Sequence, residues 1–258
     1  MSEERPDKNT PPHHAASPHL AEQIVELSAL TGGLAHEIRN PLSTLKVNLQ
    51  LLDEDWRKVE APAADQPCDP QDVARRSRAR IATLLKEANR LEQILYDFLK
   101  YIGKRDLRLA AHDLNLVAAE LVEFYRPQAH AGAIELEMIP ADAPVMCRVD
   151  ADHIKQAVLN LLINAQQAMP GGGKIQIRIS QDSSGAGKLV VSDSGPGFDV
   201  GQSDRLFEAY YSTKKGGTGL GLATARRIIR QHGGTISAAS PAGGGAVFTI
   251  TLPQDCHD

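Results

Sequence analysis

Cysteine is scarce in this chain of 258 residues. Its three copies, Cys68, Cys147 and Cys256, are far apart, odd in number and without metal-ligand spacing, so reduced thiols in the cytosol are expected. No apolar run approaches the roughly 18 to 20 residues needed to cross a bilayer, and the N-terminus lacks the apolar core of a signal peptide. A soluble, cytoplasmic chain without membrane insertion is the expectation. There is no basic tract and the formal net charge is −4, which gives no reason to expect nucleic acid or an anionic membrane as main partner. His13, His14 and His19 sit in a proline-rich stretch without acidic or cysteine partners and read as solvated, not as a metal site. Two nucleotide signatures are missing as well. Gly173-Lys174 lacks the upstream glycine of a P-loop, since position 168 is alanine, and counting from Gly217 or Gly219 the third glycine of a dinucleotide fingerprint falls on Leu222 or Thr224.

What is present, with 42% hydrophobic residues, can build one large or two modest domains. Residues 1–18 are polar and proline-rich and are expected to be disordered. Leu27, Leu30, Leu34, Ile38, Leu42, Leu45, Leu49 and Leu52 then recur at alternating steps of three and four, which draws an apolar seam along one helix. Pro41 removes a backbone donor and should kink it just after His36. Three prolines make residues 60–70 a loop. Ile81, Leu84, Ala88, Leu91, Leu95, Phe98 and Ile102 repeat the stepping in a second helix, with Gly103 as its stop. A hairpin of two such helices leaves much of each seam wet, and pairing two copies into a four-helix bundle closes it. A homodimer through roughly residues 20–102 is therefore expected; packing of the first helix on the C-terminal domain of its own chain is the less favoured alternative, because both seams are long and regular.

From about Leu107 the pattern becomes mixed α/β. Helices are expected at 115–131, 152–169 and 219–232, the second with Asp152 near its N-terminus, where a carboxylate is favourable. Strands are expected at 134–138, 145–149, 174–179 and 188–192, and 235–239 with 246–252 should form a closing hairpin. Antiparallel strands with helices segregated to one face give an α/β sandwich.

Five short stretches carry chemistry. In Thr31-Gly32-Gly33-Leu34-Ala35-His36-Glu37-Ile38-Arg39-Asn40-Pro41-Leu42, His36 is turned about 200° from Leu34, using about 100° per residue, so it points outward beside an acidic neighbour. Asn40 lies one turn above it on the same face. Asn160 and Asn164 share a helix face, where amides can coordinate a hard cation or touch phosphate. Asp193-Ser194-Gly195-Pro196-Gly197 ends a strand with a carboxylate beside a backbone able to approach a flat ring closely, and an aspartate there can accept a hydrogen bond from the exocyclic amine of adenine. Leu206-Phe207-Glu208 to Lys214-Lys215 would form a lid. It leads into Gly217-Thr218-Gly219-Leu220-Gly221, whose backbone N–H groups, with the lysines, suit a polyphosphate.

The stretch around His36 resembles the phospho-acceptor box of bacterial two-component sensor histidine kinases. The four later stretches, in this order, resemble the N, G1, F and G2 boxes of the GHKL (Bergerat) ATPase fold, which histidine kinases share with DNA gyrase, mismatch-repair ATPases and large ATP-dependent heat-shock chaperones. That likeness covers about Leu107 to Pro253, and its wording is nearest the branch that includes nitrogen-regulation sensors. It divides the chain into a tail (1–18), a dimerisation and phosphotransfer domain (19–106) and an ATP-binding domain (107–258). It implies that His36 attacks Mg-ATP in line and then donates to an aspartate of a response regulator receiver domain. Glu37 is then the base, Asn164 holds Mg²⁺, Asp193 reads adenine, and Lys214 and Lys215 offset phosphate charge. Asn160, Gly195, Gly197, Phe207, Gly217, Thr218, Gly219, Leu220 and Gly221 complete the nucleotide set, and Asn40 is a candidate for orienting water when the regulator is dephosphorylated. Ala209 and Tyr210 depart from the proline and phenylalanine of many relatives. Little precedes His36, which is read as a kinase core driven by a separate sensor or regulatory protein, or as a trimmed piece of a longer chain.

Overall fold

A computed structural model describes residues 18–60, 69–103, 107–212, 214 and 217–254, with side chains from Leu30 onward except that of Val200. The expected tail before Pro18, the loop at 61–68 and the candidate Lys215 lie outside the described residues. Helix α1 spans Pro18–Glu60 and α2 spans Pro70–Ile102. Asp69 caps α2 by accepting from the N–H of Gln71, Pro70 opens its first turn, and the N–H of Gly103 closes on the carbonyl of Leu99. Helix α1 runs through Pro41 as one element. Near the proline, Ser43 Oγ donates to the carbonyl of Arg39 and Thr44 Oγ1 to that of Asn40, at 2.9 and 3.3 Å.

The two helices pack along a face of α2 that includes Val73, Ser77, Ile94 and Tyr101, all buried. This face is offset by one position from the seam read in the sequence, whose Ile81, Leu95 and Ile102 are exposed, as are Leu42 and Leu49 on α1. Helix α2 thus has two apolar faces, and one chain covers only one of them. Charged pairs set the register: Arg80 Nη1 lies 2.6 Å from the buried Asp55 Oδ2, and Arg90 Nη2 lies 3.2 Å from Glu37 Oε2.

The rest of the chain forms β1 (Ala110–Asp113), α3 (Leu114–Ala131), β2 (Ile134–Ile139), β3 (Met146–Val149), α4 (Ala151–Ala168), β4 (Gly173–Gln181), β5 (Gly187–Asp193), α5 (Gly221–Gln231), β6 (Thr235–Ala239) and β7 (Val247–Leu252). The main sheet has the order β2-β4-β5-β7-β6, and β1 pairs with β3 in a small second sheet. Helices α3, α4 and α5 bury their apolar sides against the sheet, where Ile175, Ile177, Ile179, Leu189, Val191, Phe248 and Ile250 form the core. Alternation along β4 sends those isoleucines inward and Lys174, Gln176 and Arg178 outward.

One expectation is corrected. The sheet is mixed, because β2 runs parallel to β4. The chain between them contains α4, and a helical crossover returns a strand in the same direction, whereas a tight hairpin reverses it. The acidic cap of α4 is Asp150, which accepts from the N–H of His153; Asp152 sits in the first turn and pairs with Lys155.

The hairpin and the α/β unit meet through a small apolar cluster of Leu30, Tyr101, Leu220 and Ala223. The guanidinium of Arg227 lies 5.2 Å from the centre of the Tyr101 ring. So one end of α1 does pack on the C-terminal unit of its own chain, while Leu42 and Leu49 farther along its seam stay exposed.

Candidate functional site

The glycine-framed loop before α5, the polar face of α4 and the last turns of α2 enclose a cleft of about 490 Å³. Asn160 and Asn164 face it from α4, one turn apart, as their spacing requires. Asn160 Nδ2 donates to the carbonyl of Gly221 at 3.1 Å, which ties α4 to the start of α5. Lys214, Gly217, Thr218, Gly219, Leu220 and Gly221 line the opposite wall. Gly219 has φ +66°, and a Cβ there would come within 2.6 Å of the Tyr210 backbone, so the turn into α5 needs glycine.

Lys214 Nζ donates to both the carbonyl and the side-chain oxygen of Asn164, at 2.7 Å each. Burial lowers the pKa of this ammonium, and the charge of Asp193 opposes the shift. Two Asn164 oxygens thus converge on one cation, an arrangement of hard donors that also suits Mg²⁺, whose other ligands would come from phosphate and water. Among the described residues no cluster of three or more His, Cys, Asp or Glu offers a rival metal site.

Asp193 stands at the end of β5, half-buried, and its Oδ1 accepts from the N–H groups of Gly195 and Ala246 at 2.9 and 3.2 Å. These two donors orient the carboxylate and leave Oδ2 without a bond among the described residues. Asp193, Gly195 and Gly197 lie outside the cleft lining. Phe207 departs from the sequence reading. It is buried in the core, edge-on to Phe248 at 6.3 Å between ring centres, so it anchors the lid from beneath and cannot touch a nucleotide directly. The Leu220 side chain is likewise buried, packed with Leu30 and Tyr101, so its share in a nucleotide site reduces to its backbone.

The other candidates stand apart. His36 and Asn40 are exposed on α1 and Glu37 is half-buried against Arg90, and none of the three faces the cleft. Tyr210 of the lid packs its ring against Gly33, one turn before His36, where any Cβ would collide with the ring. Its hydroxyl is buried without a partner, and burial together with the nearby Glu37 pushes its pKa up to about 12, so it stays a phenol.

The sequence reading missed the contribution of α2. Gln93, Tyr96, Asp97 and Lys100 line the cleft, with Lys100 Nζ 4.4 Å from the centre of the Tyr96 ring. Helical periodicity marks them as the solvent face of α2, and no local signal separates a solvent face from a face turned toward another domain. Arg90, the partner of Glu37, was missed for the same reason.

Two family models match separate parts of the chain. Residues 26–101 match the His Kinase A (phospho-acceptor) domain, and residues 149–255 match the histidine kinase-, DNA gyrase B- and HSP90-like ATPase family. The sensor histidine kinase ZraS of Escherichia coli K12 is 36% identical over 232 residues, covering 90% of this chain and 46% of the relative. The chain thus spans about half the length of the curated relative it matches. Among solved structures, the mycobacterial sensor histidine kinase MprB is 30% identical with a TM-score of 0.51, covering 57% of this chain and 97% of that one. The histidine kinase ThkA, in complex with the response regulator TrrA, is 25% identical with a TM-score of 0.68, covering 91% and 64%. With both the phospho-acceptor helix and the ATPase unit accounted for on one chain, this protein belongs to the sensor histidine kinase family.

Proposed function

We propose that this chain is the core of a sensor histidine kinase that phosphorylates His36 from Mg-ATP and passes the phosphoryl group to an aspartate of a response regulator. Residues 19–106 act as dimerisation and phosphotransfer domain and residues 107–258 as ATP-binding domain. The observation that carries the reading is the convergence of two Asn164 oxygens on the Lys214 ammonium, inside a glycine-framed cleft, on the chain that also exposes His36 beside an acid.

The residues divide the work. One ring nitrogen of His36 attacks the terminal phosphorus of ATP in line as the bond to the bridging oxygen breaks and ADP leaves, while Glu37 takes or holds the proton of the ring's other nitrogen. Asp193 Oδ2 accepts from the adenine amine, while Lys214, Lys215, the Thr218 hydroxyl and the N–H groups from Gly217 to Gly221 hold phosphate. Mg²⁺ held at Asn164 would supply charge neutralisation to the transferring phosphoryl group. Asn40 orients a water for dephosphorylation of the regulator. The cleft faces α2 and no residue of α1, so transfer to the chain's own His36 requires the ATP-binding unit to be repositioned along the hairpin.

The exposed Leu42, Leu49, Ile81 and Leu95 are the seam that a second copy covers in a four-helix homodimer. The cytoplasm is the site of action. No described helix is long and apolar enough to cross a membrane.

The test is labelling with γ-labelled ATP and Mg²⁺. The expected product is acid-labile, alkali-stable and absent in His36→Gln. Full labelling of the variant would remove His36 from the role. Hydrolysis without any labelled protein would favour a conformational ATPase.

A further inference from the structure

Two of the candidate nucleotide contacts are bonded to charged side chains of the protein itself. Thr218 Oγ1 donates to Asp97 Oδ2 at 2.8 Å, and Gln93 Nε2 donates to the other oxygen of that carboxylate at 2.7 Å. Across the cleft, Lys214 Nζ sits on the two oxygens of Asn164. Asp97, Lys214, Asn164 and Thr218 all line the same cleft, yet Asp97 belongs to α2, 121 residues from Thr218 in sequence.

The signs of these charges match those of the substrate. A carboxylate oxygen meets the hydroxyl assigned to a phosphate oxygen, and an ammonium meets the oxygens assigned to a divalent cation. A threonine hydroxyl has one hydrogen and cannot donate to Asp97 and to phosphate together. Nor can an ammonium and a metal ion share the same pair of oxygens at contact distance.

We propose that Asp97 and Lys214 form an internal stand-in for the phosphate–metal pair, and that nucleotide binds by exchanging with both. Asp97 is then a positioning residue that sets nucleotide affinity through Thr218, from a helix outside the ATP-binding unit. Exchange at Thr218 removes its hydrogen bond to the hairpin, so nucleotide occupancy and docking of the glycine-framed loop on α2 oppose each other. The Leu30, Tyr101, Leu220 and Ala223 cluster, two residues along from Thr218, keeps this loop close enough for the contact to re-form. Apparent affinity falls with the fraction of molecules in the docked form. The repositioning that phosphoryl transfer to His36 requires is thereby tied to the arrival of its substrate.

This inference rests on the ATP-binding reading above, and one titration separates the two. The full chain is titrated with trinitrophenyl-ATP at fixed Mg²⁺, with displacement by ATP, for wild type, Asp97→Ala, Asp97→Asn and Glu92→Gln. Glu92→Gln removes an exposed charge from the same helix. Removing the competing acceptor in Asp97→Ala should tighten binding about threefold to tenfold. Asp97→Asn, which still accepts a hydrogen bond but carries no charge, should fall between, and Glu92→Gln should match wild type. Unchanged or weaker binding by Asp97→Ala overturns the proposal, as does equal tightening by Glu92→Gln, which would mark a general charge effect. Circular dichroism checks folding, and if the alanine variant fails it, Asp97→Asn against wild type decides by the same criterion. A wild-type chain that binds no nucleotide refutes the ATP reading itself.

Discussion

His232 and Asp150 show how single residues join the α/β unit together. The N–H of Asp150 donates to His232 Nε2 at 3.0 Å, so that nitrogen is unprotonated, and Nδ1 lies 2.7 Å from the carbonyl of Ile228, to which it donates. The buried ring is thereby a neutral, single tautomer. Burial pushes its pKa below the usual value of 6.5. Burial alone would raise Asp150, but hydrogen bonds from Arg108 and His153 outweigh it and hold the carboxyl at about 2. Both groups have folded-state values below their unfolded ones, so in each case the unfolded chain binds more protons as pH falls. Stability is full above pH 6.5, falls below it as unfolded His232 takes up a proton, and falls again below 3.8 on account of Asp150. The melting temperature of the full chain should therefore drop between pH 7.5 and 5.5, and His232→Gln should make that slope shallower. An unchanged slope would show that His232 does not set it.

At the scale of elements, the hairpin is held by apolar packing and by a few charges that choose its register. Asp55 is 4% exposed and takes Arg80 at 2.6 Å, with Arg76 at 3.9 Å. Breaking a buried pair costs about 3–5 kcal/mol; here Arg80 can turn partly to water, so about 2–3 kcal/mol is expected for Asp55→Ala. Urea unfolding followed by helical circular dichroism should show the loss, and a change under 1 kcal/mol would place the pair among surface contacts. Helix positions were legible because seams of period 3.5 and turn residues are local signals. The α2 face that packs inside the chain was not. Val73, Ser77, Ile94 and Tyr101 lie one position from an equally apolar stripe, and periodicity cannot say which of two stripes meets which neighbour.

For the whole molecule, the uncovered stripe makes a quantitative demand. Leu42, Leu49, Ile81 and Leu95 are each about half exposed in one chain, at 50, 54, 46 and 52%. Large apolar side chains left this exposed along both helices are what an interface would cover. Sedimentation should give a dimer for the wild type and a monomer for Leu49→Glu, with the α/β unit still folded; a monomeric wild type would overturn the bundle. Asn160 and Asn164 one turn apart and the glycines at the start of α5, which line the cleft, stand out in the sequence because each stretch combines particular chemistry with short spacing; His36 beside Glu37 and Asp193 before two glycines stand out on the same ground but lie outside that lining. Local sequence by itself determined the element types apart from strand β1, the order of hairpin and α/β unit, and the family, since these depend on interactions within a few turns of chain. Only the tertiary structure decided that β2 runs parallel to β4, that Phe207 is core, and that Asp97 on α2 shares a cleft with Thr218. Each of those is a pairing of residues distant in the chain, settled by packing free energy summed over whole faces and visible in no single window of sequence.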